Sequence, residues 1–249
     1  MYSPEALSRP PVVEAIYGIQ AITPADLDQV SVMERLRPLL PADYTVQENV
    51  DHFNIELKRE GDGPLQSKHT QAWSGAKLTS TDGKVVAHFM RFGIFVSFLA
   101  YRSFEEARPL VQQLWEAYVK AFSPVLVNKL SIRYINLLNL PFEEGRVNLE
   151  KYFKVNLHFP DELSSTMEHF HQQFVIRDPD NDVPARVMIS SVREEDGKLV
   201  VVFDQEGYIE RQWSAEDTTI WDDFNLVRNW TYHIFRATLT DACLETINS

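Results

Sequence analysis

Between Ser103 and Leu140 the hydrophobic period changes from helical to extended, and no other feature of the chain restricts its fold as strongly. Phe104, Ala107, Val111, Leu114 or Trp115, Tyr118 and Phe122 recur three or four residues apart, while Glu105, Glu106, Gln112, Gln113 and Glu116 mostly occupy the other side. Ser103 and Glu106 have the spacing of a capping box, and Pro124 ends the run. Residues 125–140 then read as extended chain, with Leu130, Ile132, Tyr134 and Leu138 on one strand face. An amphipathic helix that covers a sheet, followed by a long strand of that sheet, is the expected arrangement.

The same grammar extends in both directions. After the Arg9-Pro10-Pro11 turn signal, Val13, Ala15, Tyr17 and Ile19 alternate as one face of a first strand. Thr23 and Pro24 have the chemistry of a helix start, which predicts a helix over 23–40. Strands are expected over 51–59, 71–79 and 84–100, separated by Gly-containing turns. In the second half, 148–159 reads as extended, 161–171 as a short helix, and 185–194, 198–204 and 205–213 as strands. A long helix over 218–237 follows, with Ile220, Phe224, Val227, Thr231 and Ile234 on one face and Asp217, Asp222 and Asp223 near its start. The order of strand, helix, strands and long helix thus occurs twice. The expected fold is α+β: two similar lobes, 1–142 and 143–249, each an antiparallel sheet packed by amphipathic helices and able to share one continuous sheet.

The chain carries 36 acidic against 24 basic residues, a formal net charge of -12, which disfavours a broad surface for a phosphate backbone. Its single cysteine, Cys243, excludes an intrachain disulfide and fits a reducing compartment, with the cytoplasm the expected location. No apolar run reaches the roughly 18 residues that a membrane-spanning helix needs, so no membrane role is expected.

Motifs with specific chemistry are absent. His169 and His171 are two residues apart, a spacing that suits metal ligation on neither a helix nor a strand. Residues 178–182, Asp-Pro-Asp-Asn-Asp, read as a solvated turn. Gly61, Gly63, Gly83 and Gly197 lack both a dinucleotide fingerprint and a phosphate-loop lysine, and they read as hairpin glycines. Ser74 has no nucleophile-elbow context, and Cys243 has no neighbouring base. No catalytic residue, cofactor or metal site is therefore assigned. Four residues form a possible polar cluster: Glu14, Arg133, Tyr134 and Asn136. If the first and mid-chain strands are neighbours, Glu14 and Arg133 can form a bidentate pair that fixes their register.

Three stretches carry a resemblance: Arg9–Ile19 with Pro11 and Glu14, Leu130–Pro141 with the Arg133-Tyr134-Ile135-Asn136 core, and Trp230–Ile247 with Phe235, Leu239, Thr240 and Asp241. Together they resemble the sporadically distributed bacterial family TIGR04255 over nearly the whole chain. The resemblance implies a bacterial single-chain protein and brings no substrate, catalytic residue or cofactor with it. The leading functional expectation is noncatalytic recognition of a protein partner, or self-association as a homo-oligomer, with the aromatic residues as anchors. One rival is an enzyme with a polar site in an inter-lobe cleft. The other is nucleic-acid binding through a local basic aromatic face that includes Lys77, Lys84, Arg91 and Arg102.

Overall fold

Alternating segments account for nine strands: β1 (Val12–Ile22), β2 (Tyr44–Lys58), β3 (Gln66–Ser80), β4 (Val85–Met90), β5 (Gly93–Phe98), β6 (Leu126–Pro141), β7 (His171–Arg177), β8 (Pro184–Glu195) and β9 (Lys198–Trp213). The computed structural model describes residues 10–59, 66–143, 147–155 and 169–248. The strands form one sheet in the order β2-β3-β4-β5-β1-β6-β9-β8-β7, and every neighbouring pair is antiparallel. The protein is thus an α+β fold built on a large antiparallel sheet. β1 and β6, far apart in sequence, run side by side at its centre.

Strand periodicity decides which side of the sheet is covered. Ala15, Tyr17 and Ile19 of β1, Ala87 and Phe89 of β4, Ile94 and Val96 of β5, and Leu130, Ile132 and Tyr134 of β6 enter one buried cluster. That cluster also holds the apolar residues of α1 (Gln29–Leu36) and α2 (Phe104–Phe122) and the first half of α4 (Ile220–Thr238). A second cluster joins Leu138, Leu140, Val187 and Phe203 to α3 (Leu149–Tyr152), the end of α4 and α5 (Asp241–Asn248). All five described α-helices therefore pack on the same face of the sheet. The opposite face carries the alternate residues of each strand.

α2 follows its sequence signals closely. The Ser103 hydroxyl accepts from the Glu106 amide at 3.1 Å, and the helix stops where Ser123 turns left-handed (φ 49°) ahead of Pro124. Tyr118 stacks near Phe89 and donates its hydroxyl hydrogen to the Met90 carbonyl at 3.0 Å, so this buried phenol is satisfied. Tyr17, at the sheet centre, meets Phe104 of α2 at 6.1 Å and Phe224 of α4 at 6.2 Å between ring centroids. One strand residue thereby ties both long helices to the sheet. Over β9, α4 comes so close that a Cβ on Gly207 would lie 2.8 Å from Thr231 Cγ2 and 3.0 Å from Val227 Cγ1. Glycine is what permits that approach.

Several boundaries differ from expectation. The first helix starts at Gln29, because Asp28 accepts the Ser31 amide at 2.9 Å, whereas Thr23 donates its hydroxyl hydrogen to the Arg91 carbonyl and stays in the connection. The stretch 84–100 is not one strand but the hairpin β4–β5, which reverses at Arg91–Phe92. Gly93 follows that reversal at φ 140°, with its α-carbon hydrogens where a Cβ would sit 2.2 Å from the Ile19 carbonyl oxygen. Within 148–159 the described residues hold the short helix α3, capped by Asn148, rather than a strand. Most of the helix expected over 161–171 lies outside the described residues, and His171 opens β7 instead.

Candidate functional site

The sheet face on which no described helix packs, termed the helix-free face, is built at its centre by four adjacent strands. Across it, Ile16 of β1 lies opposite Arg133 of β6, Arg133 opposite Glu206 of β9, and Glu206 opposite Arg186 of β8. One step along the strands, Glu14, Ile135, Asp204 and Met188 form the next row. Because a strand alternates its side chains, every one of these residues points away from the helices. Cross-strand opposition then brings charges of opposite sign together.

The Arg133 guanidinium binds Asp204 in bidentate fashion, with Nε to Oδ1 at 2.9 Å and Nη2 to Oδ2 at 2.5 Å. Asp204 is nearly enclosed, its side chain 10% exposed, whereas that of Arg133 is 44% exposed. Hydrogen bonding to Asp204 raises the Arg133 pKa further, against the burial that lowers it. Arg186 reaches Glu206 at 2.9 Å, and Lys129 lies 4.0 Å from Glu206, 3.6 Å from Glu210 and 4.2 Å above the Tyr208 ring centroid. The result is a ladder of paired charges over β6, β9 and β8. Beside it, Phe92 is half exposed and its ring lies 5.7 Å from that of Phe95. His88 on the same face adds no positive charge at neutral pH, because burial and the nearby Lys77 hold its pKa below the usual histidine value.

The four residues of the polar cluster do not meet on one side of the sheet. Glu14 and Arg133 are on the helix-free face, whereas Tyr134 and Asn136 are buried beneath the helices. β1 and β6 are neighbours as the paired-residue hypothesis required, but the partner of Arg133 is Asp204 and not Glu14. The register explains this outcome. Ile16 stands directly opposite Arg133, and the irregularity between Val12 and Glu14 leaves Glu14 opposite Ile135.

Under the helices, the Tyr101 and Tyr134 hydroxyls are 3.2 Å apart, with their ring centroids at 5.3 Å. Burial raises the Tyr134 phenol well above its usual pKa, and the adjacent Tyr101 adds to the shift. Both phenols stay protonated at neutral pH. Asn136 is fully buried and donates from Nδ2 to the Phe203 carbonyl of β9 at 2.9 Å. That bond links the β6 side chain to the neighbouring backbone and pins the register of the pair.

A polar anchor that sequence reasoning passed over lies at the start of α4. Asp223, itself buried, accepts the Trp213 indole hydrogen at 2.9 Å and pairs with Arg211. Its only signal was an acidic residue in a helix first turn, which ordinarily reads as dipole complementarity. No group of three or more potential metal ligands occurs among the described residues, which include His169 and His171. The Asp178–Asp182 stretch forms the turn between β7 and β8, closed by an Arg177–Asp182 ion pair at 2.9 Å. No described helix is long and apolar enough to cross a membrane. No family model and no curated protein matches the chain.

Proposed function

We propose that the chain is a noncatalytic recognition module whose helix-free sheet face receives a protein partner or a second copy of the chain. The observation that carries this reading is the one-sided placement of the five described α-helices on a nine-stranded sheet, which leaves the other face with no described helix on it. Ile16 and Ile135 supply partly buried aliphatic surface at its centre, and the half-exposed Phe92 an aromatic anchor near its rim. Charges already paired within the platform, such as Arg133 with Asp204, meet a docking partner with part of their desolvation cost offset. Alternating signs give a phosphate backbone no continuous positive track. An enzyme reading has less support, because the sheet separates Glu14 and Arg133 from Tyr134 and Asn136.

The finer architecture belongs to the same proposal. Two related lobes, 1–142 and 143–249, meet at the β6–β9 pair: β1, β5, β4, β3 and β2 lie outward from β6, while β8 and β7 lie outward from β9. Each lobe holds a 19-residue helix, α2 and α4. In this reading β6 closes the first lobe and joins it to the second through β9. Membership of the sporadically distributed bacterial family and a cytoplasmic location complete the reading.

The experiment is affinity recovery from native cells with the wild-type chain, with Ile16→Glu and Ile135→Glu, and with Glu116→Lys on the outer side of α2 as control. All four proteins are first shown to fold by circular dichroism. A partner, or a second copy, retained by wild type and control and lost by the two sheet-face variants is the expected result. Retention by all four would refute the assignment of the face.

A further inference from the structure

We infer that a shallow cavity at the Ile22 end of β1 receives the carboxyl terminus of a partner chain whose last residue is apolar. The cavity measures about 360 Å³ and lies where β1 leaves the sheet beside the β4–β5 reversal. It opens at the rim of the helix-free face, so the site rests on the recognition reading and names the end of the partner that this face takes. Gln20 and Ile22 alternate with Ile19 and Ala21, which are buried beneath the helices, so both side chains are on the helix-free side. Phe92, its ring beside that of Phe95, continues the same surface. Ile22 is 49% and Phe92 50% exposed, which leaves the apolar wall open to a ligand.

Three hydrogen-bond donors adjoin that wall. Gln20 pairs with Lys129 and Ala21 with Val127, which makes Asn128 the extra residue of a bulge in β6 and aims its exposed side chain into the cavity lining. Arg91 is held firmly. Its amide donates to the Ser74 carbonyl at 2.8 Å, its carbonyl accepts from the Thr23 hydroxyl at 2.6 Å, and Nη2 donates to the Ala25 carbonyl at 2.6 Å. The guanidinium has further N–H groups for a ligand. Among the described residues no carboxylate pairs with Arg91, and no side chain bonds to the Gln20 or Asn128 amide. No acidic residue lines the cavity, in a chain with net charge -12. One guanidinium and two amides match the two oxygens of a carboxylate. In a terminal residue the carboxylate and the side chain branch from one α-carbon, so both fit a single small cavity. Neighbouring side chains of an extended internal segment point to opposite sides, so an acidic residue and an adjacent apolar one cannot both enter.

Titration of the isotope-labelled full chain with three peptides, followed by amide chemical shifts, tests the proposal. The probes are acetyl-Gly-Ser-Gly-Val-Leu with a free carboxylate, the same peptide as its C-terminal amide, and acetyl-Gly-Glu-Gly-Val-Leu as an amide, in which the only acid is internal. Saturable shifts at Arg91, Phe92 and Asn128 are expected with the free acid, which should bind at least about fivefold more tightly than either amide. Arg91→Gln should weaken the free acid about fivefold and remove its advantage over the amide, and Asn128→Ala, at an exposed position, should weaken it in the same direction. Phe92→Ala should weaken all three peptides. No saturable shift with the free acid, equal binding of its amide, tighter binding of the internal acid, or indifference to both Arg91→Gln and Asn128→Ala would each overturn the assignment. These readouts are independent of partner recovery with Ile16→Glu and Ile135→Glu, so failure of the cavity and failure of the wider face are told apart.

Discussion

Replacement of Arg133 by alanine should destabilise the fold more than replacement of its partner, because the two ends of the ion pair differ in their access to water. Without the guanidinium, a carboxylate with a 10% exposed side chain is left with no other cation at hydrogen-bond distance among the described residues. Loss of one partner from a fully buried pair costs about 3–5 kcal/mol, and an exposed pair is worth about 0.2–1 kcal/mol. The 44% exposure of Arg133 places this pair between those limits. Arg133→Ala should cost about 2 kcal/mol and Asp204→Ala about 1 kcal/mol, since water can solvate a half-exposed guanidinium. The two residues should be coupled by about 1 kcal/mol in a double-mutant cycle measured by urea unfolding. Glu14→Ala should couple to Arg133 by less than about 0.5 kcal/mol, because it contributes only a longer-range field. Additive losses for Arg133 and Asp204, or a stronger coupling of Arg133 to Glu14, would refute the reasoning.

Gly207→Ala should lower stability by about 1–3 kcal/mol, because the new methyl group meets Thr231 and Val227 of α4. Thermal unfolding should show part of that loss restored by Thr231→Ser, which removes the nearer methyl group and keeps the hydroxyl. The Asp82 carboxylate, held by the Lys84 amide and the Ser80 hydroxyl, should titrate with a midpoint of about 2 in an NMR experiment. Its folded pKa is below the unfolded value of about 3.9, so its contribution to the β3–β4 hairpin is complete above that value and is lost as pH falls toward 2. A midpoint near 4 would contradict the hydrogen bonds at this turn. The Cys243 thiol should resist a disulfide reagent at pH 8 in the native protein and react fully in urea, as expected for a buried group raised to about 12.

Local signals carried much of the fold, and long-range pairing carried the rest. Ser103, Pro124 and the apolar stripe between them were enough to place α2, and alternation was enough to set Tyr134 on the covered face of β6. The β4–β5 hairpin was hidden because its reversal uses Arg91 and Phe92 rather than an Asn-Gly or Asp-Gly pair. Gly93 was visible in sequence, but its close approach to Ile19 depends on a strand more than seventy residues earlier. Asp204 was legible as the end of a strand and not as the partner of Arg133, since that contact requires β9 to lie beside β6. The polar cluster came apart for the same kind of reason. Neighbours in sequence on a strand face opposite ways, so Arg133 and Tyr134 could not share a site.

The central claim, that the helix-free face is the recognition surface, is tested most directly by site-specific photo-crosslinking in native cells. A photoreactive phenylalanine analogue is placed at Phe92 or Ile135 on that side, and at Glu116 on the outer side of α2. The account predicts a discrete higher-mass adduct from Phe92 and Ile135 and none from Glu116. Adducts from Glu116 alone, or none from the sheet-face positions, would contradict it.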